Sequence, residues 1–557
     1  MKNIAKTAML ALVVSFCSCE DFFRVQTDNV LDGDDYIAVE NEMYAGYIGI
    51  TTKVQAIGDK AIYLTETRGE LLEPTVNTGA DLRSLYNYAV NLKGNSYADP
   101  APYYDVIIAC NDYIAKMREF KSRNAAGIDE ARYKALISST LRMKAWTYLT
   151  IAKIYGEVVW FDDPLIELKD ISQFEEKDLD QTVAACKELL TTGVDGINGT
   201  YKFSWVEWVD PDAVGTDGTY RYWDYMTPEY EALYAELCLW SGDYQTAYHI
   251  LLERLQREFK GRSSDSTPFI RNLMTGSGSR YKSYWASITP YAYETVSAII
   301  YNYAKNQTNS LLRHFKYDAP AEYLLAPSEA GRSRWADPTF NPLGSTSNDP
   351  RANVTFTQNS AGQWYLAKFG SSISETYQDN VPIYIYRGSE LHFMLAEALN
   401  QLGRYEEAAC IINQGVGSAW PSGGVTWPDF TSDWTSAMDD GTTRKYPNVG
   451  IRGSLSITGN RTFYCTEGYQ KTAPQAPTLT PLADEVAVKR ANDEALLDEM
   501  MLEFAGEGKN YFAMLRAARR YNDYSIIADR VCSKYTDPEE IRSKILAGGY
   551  FLQWDMK

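Results

Sequence analysis

The stretch Tyr386–Gln414, YRGSELHFMLAEALNQLGRYEEAACIINQ, decides the fold. Leu391, Leu395, Ala398 and Leu402 recur at steps of three and four, the period of one helical face. Gly403 breaks the run, and beyond Tyr405 a second face starts with Ala408, Ile411 and Ile412. The glycine frees the backbone at the end of the first helix, and the small alanine lets the second helix cross it closely. The same offsets recur at Gly242, Tyr244 and Ala247, behind the apolar run YEALYAELCLW.

Two hairpins at one spacing read as tetratricopeptide-like repeats. A hairpin with a single apolar face needs neighbours to bury it, so the spacing predicts a mostly helical, all-α scaffold of stacked pairs. Hairpins are expected near 103–190, 228–257 and 385–414, with a C-terminal helical element over 493–518. Shorter helices are expected over Tyr36–Ile50 and near Asp81–Tyr88. Between the hairpins, 60–100, 261–380 and 415–480 are rich in Ser, Gly, Asn and Pro. Their aromatic content is too high for solvated linkers, so they read as long ordered excursions, with helical period surviving only in pieces such as Tyr293–Tyr303.

Residues 1–18 read as a lipoprotein signal peptide, and 19–557 as a single domain. Lys2 and Lys6 precede the apolar run Met9–Phe16, which is too short to span a membrane. Ser18 before Cys19 suits cleavage that leaves Cys19 as an acylated N-terminus, and acyl chains there would anchor the protein stably.

Lys and Arg total 54 against 73 Asp and Glu, a formal charge of −19. Nucleic acid is therefore excluded as a partner, because phosphate binding wants a basic surface. Cys110, Cys186, Cys238 and Cys410 sit on apolar-periodic helices and read as small buried hydrophobes, not as a disulfide framework. His249, His314 and His392 are isolated, so no zinc site of familiar spacing is present. The tract Asp210 to Asp217 has oxygen ligands at the wrong spacing for a calcium loop, which leaves a structural calcium open and calls for no cofactor. Neither a nucleophile elbow nor a P-loop nor a zinc-hydrolase motif occurs. Glu499, Glu503 and Glu507 line up four apart on one helix. Paired catalytic carboxylates normally come from different elements, so these read as ion-pair partners of neighbouring helices, with Arg387 one counter-ion, and no enzyme is expected.

Five features of the sequence, four blocks and their order, resemble the SusD/RagB family of outer-membrane nutrient-binding lipoproteins. They are Cys19 to Val25; Leu141 to Tyr148 with Tyr155 to Val158; Arg387, Glu390, Ala396-Glu397-Ala398, Asn400, Gly403, Ala408 and Asn413; Glu499, Glu503, Phe504, Glu507, Gly508 and Phe512; and the order of these blocks along the chain. The chain departs from the family pattern at Met500, Lys509 and Ala513, and at Gly415-Val416-Gly417. The resemblance implies a lipid-anchored protein on the outer face of the outer membrane of a Bacteroidetes-like Gram-negative bacterium. It implies a TonB-dependent, SusC-like channel as partner, and glycan capture, with peptide capture in some members. A scaffold used only for protein–protein contact is the remaining reading.

With 42 Tyr and 13 Trp, the chain has rings to spare for stacking on sugar faces. A neutral oligosaccharide or polysaccharide suits both the rings and the negative charge better than a polyanion. Trp285 is the first candidate platform, flanked by Ser283, Ser287 and Thr289. Tyr281, Tyr284, Tyr291 and Tyr293 lie close by in sequence, and Trp335 and Trp364 lie further along the same excursion. Tyr86, Tyr88 and Tyr97 come from the earlier excursion, which is expected to fold over the same body.

Overall fold

The structure is a computed structural model. It describes residues 37, 39–124, 129–165, 173–209, 223–259, 281, 285, 294–317, 321–345, 348–370, 379–413, 415, 435–437, 443–445, 450–455, 457–472 and 476–554. Cys19, the signal segment, the tract 210–222, and Tyr284, Tyr291 and Tyr293 lie outside the described residues.

The described chain is mostly helical. Helix α1 (Glu40–Ile57) starts four residues later than its periodicity suggests and runs seven residues further. Helix α2 (Lys60–Arg68) occupies a stretch expected to be loop. Its Thr-rich sequence is a weak helix former, and burial of Ile62, Tyr63 and Leu64 supplies what propensity lacks. Strand β1 (Leu72–Pro74) and helix α3 (Ala80–Tyr86) complete the first excursion.

Helix α4 (Ala101–Arg123) packs on the long α5 (Glu130–Tyr155). The Asp129 carboxylate caps α5, accepting from Ala131 N at 2.9 Å and Arg132 N at 3.0 Å. A short ribbon of β2 (Glu157–Trp160) and β3 (Glu175–Asp178) leads to α6 (Leu179–Thr191), which packs back on α5. The repeat hairpins follow as expected: α7 (Tyr230–Trp240) with α8 (Tyr244–Phe259), and later the helices Gly388–Gln401 and Tyr405–Asn413. Gly242 and Gly403 stand at φ +73° and +76°, the left-handed turn each hairpin needs, and Ala247 and Ala408 are fully buried at the crossings.

The predicted helical piece at 293–303 is instead strand β4 (Thr295–Ile299). Across the excursion lie α9 (Leu311–Phe315), β5 (Leu325–Pro327), α10 (Glu329–Ser333) and the hairpin of β6 (Phe356–Gln358) and β7 (Trp364–Leu366). Strand β8 (Ile383–Arg387) then pairs antiparallel with β4 before running into α11 (Gly388–Gln401) and α12 (Tyr405–Asn413). The Ile383–Arg387 run, IYIYR, is β-branched and aromatic, and pairing with it outweighs the weak helical period of β4.

Helix α13 (Gly450–Ser454) packs on α12. The expected C-terminal helix is two, α14 (Glu485–Glu503) and α15 (Asn510–Tyr521), separated by a turn with Gly506 and Gly508 at φ +79° and +74°. A Cβ on Gly508 would lie 2.9 Å from Thr65 Oγ1 and 3.0 Å from Ile62 Cα, so glycine also permits the close approach of α2. Helices α16 (Ser525–Val531) and α17 (Pro538–Lys544) flank a single tight turn, Cys532–Lys534. All six cysteines of the described chain are buried and unpaired. No helix among the described residues is long and apolar enough to cross a membrane.

Candidate functional site

The three aligned glutamates have a structural fate. Arg387 Nε donates to Glu507 Oε2 at 2.8 Å, and its Nη1 to Glu294 Oε2 at 2.6 Å and Glu503 Oε1 at 2.9 Å. Glu499 accepts from Arg351 at 2.7 Å and from Arg452 and Arg461 at 2.8 Å each. Lys368 closes the set on Glu507 at 2.5 Å, and Arg351 also grips Asp349 and Glu503. Five cations thus face five carboxylates, all of them buried. Burial pushes the Glu499 carboxyl up, but Arg452, Arg351 and Arg461 outweigh it and hold the group well below the usual range. The Glu507 carboxyl is lowered in the same way by Arg387 and Lys368. The cluster is sealed from solvent and paired throughout, so it locks the excursions to α14 and the turn after it.

Trp285 covers this cluster. It is fully buried, with the Lys368 ammonium 4.2 Å from its ring centre and the edges of Phe369 and Tyr384 at 5.6 and 5.8 Å. No sugar reaches a ring packed this way, so the structure assigns Trp285 to the core. Tyr281 is buried beside it and donates to Glu503 O at 3.3 Å. Trp335 is buried edge-on to Phe356. Tyr88 is buried under Arg68, whose guanidinium carbon stands 4.8 Å from the ring centre, and its Oη donates to Arg68 O. For these four, the tryptophan and tyrosine content of the excursions is core-building. Trp364 differs, being partly exposed with Arg332 4.1 Å from its ring centre.

Trp364 belongs to an edge where the two excursions join. Strand β1 pairs antiparallel with β5, with Glu73 opposite Ala326. The join is extended by Thr75 N donating to Leu324 O at 3.1 Å, Asn77 Nδ2 to Glu322 O at 3.0 Å and Ser328 N to Leu71 O at 2.8 Å. Strand β7 lies against β5 on its far side. Tyr323 Oη donates to Trp364 O at 2.7 Å, and the Tyr323 ring meets Tyr317 edge-on at 5.6 Å. Tyr323 and Tyr88 both stand at φ +51°, a region bulky L-residues seldom adopt, and each holds its place through its hydroxyl.

The result is a rim of rings with a carboxylate among them. Tyr317 is 40 % exposed, and Tyr86 and Trp364 are partly so. Glu73 is half-buried and has no ion-pair partner among the described residues. Burial raises its carboxyl, with Glu329 adding and Lys534 opposing. Burial likewise pushes the Tyr86 hydroxyl up to about 12, and the Glu73 charge adds to it. An exposed ring offers a flat apolar face, and a carboxylate beside it accepts from hydroxyl or amine donors. Glu73, Tyr317 and Tyr323 carry no sequence signal of this role. Only the pairing of β1 with β5, remote in the chain, brings them together. Among the described residues no group of three or more His, Cys, Asp and Glu is placed to hold a metal ion.

Residues 295–414 match the SusD family. No curated protein sequence matches the chain. Solved structures are similar over nearly the whole length. A SusD superfamily protein from Bacteroides vulgatus covers 93 % of this chain and 96 % of its own at 11 % identity, with a TM-score of 0.61. A protein named B. fragilis NanU covers 92 % and 95 % at 16 % identity and a TM-score of 0.55. A laminarin binding SusD-like protein covers 92 % and 98 % at 14 % identity and a TM-score of 0.54. The family match spans the β4–β8 ribbon and the α11–α12 hairpin, and the chain shares its fold with solved SusD superfamily structures over nearly its whole length.

Proposed function

We propose that the protein is a surface carbohydrate-binding lipoprotein of an outer-membrane uptake system, anchored through Cys19 and passing oligosaccharide to a TonB-dependent channel of SusC type. The aromatic edge of Tyr86, Tyr317, Tyr323 and Trp364 around Glu73 is the ligand site in this reading. One observation carries it: Tyr86, Tyr317 and Trp364 remain partly open where two excursions join, with Tyr323 buried beneath them, whereas Trp285, Tyr281, Trp335 and Tyr88 are sealed in the core. The SusD family match over 295–414 supports the assignment, as does the laminarin-binding character named for one protein of the same fold. A neutral polymer stacks its faces on Trp364 and Tyr317 and donates hydroxyls to Glu73.

The test is affinity electrophoresis of the mature chain in gels containing laminarin, starch, xylan or galactomannan, with peptide binding measured in parallel by calorimetry against a mixed peptide pool. Retardation in at least one gel that is lost in Trp364→Ala is the expected result. Peptide heats with retardation in no gel sink the carbohydrate reading and leave the peptide-capturing alternative.

A further inference from the structure

A single dipeptide, Lys534-Tyr535, buttresses the near side of the aromatic edge. Lys534 Nζ donates to Thr67 O at 2.9 Å, in the last turn of α2, and to Leu72 O at 2.6 Å, where β1 begins. Its ammonium stands 4.8 Å from the Tyr86 ring centre and 5.3 Å from that of Tyr535. Those two rings pack 4.4 Å apart, and Tyr535 Oη donates to Tyr86 O at 2.7 Å. One cation therefore pinches the segment between α2 and β1 and packs against the Tyr86 ring.

We propose that Lys534 is a positioning residue for the aromatic edge, its terminal nitrogen holding β1 and Tyr86 in the arrangement that a ligand meets. The proposal rests on the edge being the ligand site. Carbonyls at a helix end and a strand start are acceptors only, and a lysine ammonium satisfies both with charge-assisted bonds. A buried ammonium also attracts the two flanking rings, which a neutral group of the same length does not.

The charge of this group is within reach of physiological pH. From α2 it faces Glu66, just beyond that helix Glu70, and from β1 Glu73, while Cys532 lies in its own turn. Burial lowers the amine to about 7, and those groups only partly offset it. Glu70 is already engaged by Arg334 and Arg530. Burial also raises Glu66 to about 7, so it is a weak counter-ion. Helix α10 brings Glu329, and Arg332 committed to the Trp364 ring. Helices α16 and α17 bring Asp529 and Arg542, which pair with each other, and Glu539. Below the folded pKa the clamp carries its charge. Above it a neutral amine keeps donors for Thr67 O and Leu72 O, and because burial disfavours the charge in the closed edge but not in an opened one, the edge tightens as pH rises through about 7.

Hydrogen exchange of the full ligand-free chain from about pH 6 to about pH 8.5, corrected for intrinsic rates, reads the clamp directly. Thr75 N and Ser328 N, bonded across the β1–β5 join, are the reporters. Protection of peptides spanning 70–78 and 323–330 is expected to rise at least about threefold across this range in wild type. It stays level with pH in Lys534→Gln, which keeps donors without titrating, and is lowest throughout in Lys534→Met. Level or falling protection in wild type, or an equal rise in Lys534→Gln, overturns the proposal. The same four gels, run at both pH extremes, test the link to ligand: retardation of wild type but not of Lys534→Gln is expected to strengthen at the higher pH. Retardation of wild type that does not change with pH overturns the positioning role. Retardation in no gel at either pH, with the exchange result intact, overturns the carbohydrate reading and leaves the clamp standing.

Discussion

Replacing Arg387 with methionine isolates the buried charge cluster as a source of stability. Methionine roughly keeps the length of the stem, so packing loss is small and electrostatics dominate. The guanidinium makes four bonds to carboxylate oxygens of Glu294, Glu503 and Glu507 and a fifth to Glu503 O. Removing it leaves Glu294 without its counter-ion, while Glu503 keeps Arg351 and Glu507 keeps Lys368. One uncompensated buried carboxylate and two weakened ones correspond to a loss of about 3–5 kcal/mol. That is a large part of the roughly 5–15 kcal/mol that holds a domain together. Arg118→Met is the control, because its pair with Asp195 is half-exposed on both sides and is worth about 1 kcal/mol at most. Urea unfolding followed by far-UV circular dichroism measures both. The pH dependence gives a second check. In wild type the lowered Glu507 carboxyl contributes stability that is present above the unfolded pKa of about 4.5 and is lost as pH falls through the folded value. In the variant, burial without Arg387 raises the orphaned carboxyls, so the folded form takes up protons first as pH falls. The gap between the two proteins therefore narrows on approach to about pH 4.5. A loss below about 1 kcal/mol at neutral pH, or a gap that widens on acidification, refutes the reasoning.

Trp364→Ala should weaken glycan binding about 2–10-fold at unchanged stability, whereas Trp285→Ala should cost about 3–5 kcal/mol and leave affinity per folded molecule alone; calorimetric titration beside urea melts separates them. Glu73→Gln should raise retardation in gels made with polygalacturonate relative to neutral polymers, since it removes the carboxylate that repels uronic acids. Glu236 and Glu397 are held at about 2, by Lys153 and by Arg516 with Arg520, against the burial that raises them. Their contribution is full above about pH 4.5 and disappears towards pH 2, so urea midpoints should drop steeply across that window. Cys19→Ala should move the protein from the membrane fraction to the soluble one, and protease shaving of intact cells should digest only the anchored form.

The helical scaffold was legible because its signals are local. Gly242 and Gly403, with an aromatic and a small residue at fixed offsets, mark turns that any two-helix repeat needs. Glu499, Glu503 and Glu507 were readable as ion-pair partners for the same reason, with Arg387 found at the predicted place. Strand β4 was misread because five residues carry too little period to resist a partner 84 or more residues away. Trp285 was misread because composition does not distinguish a ring that stacks on sugar from one that covers a lysine. The rim residues were illegible for a plainer reason. Glu73 and Ala326 become neighbours only through backbone pairing, which leaves no trace in either stretch alone.

The distribution of the buried charges restricts how such a protein can be rebuilt. The helices with the β4–β8 ribbon and its leading residue supply Arg387 against Glu294, Glu499, Glu503 and Glu507, a balance of −3. The two long excursions supply Arg351, Lys368, Arg452 and Arg461 against Asp349, a balance of +3. Neither half is neutral by itself, so a repeat scaffold stripped of its excursions would seal unmatched negative charge in its core. Transplanting a ligand-binding excursion between relatives would therefore succeed only when the graft brings its buried cations along. Residues that never touch a ligand would decide which grafts fold.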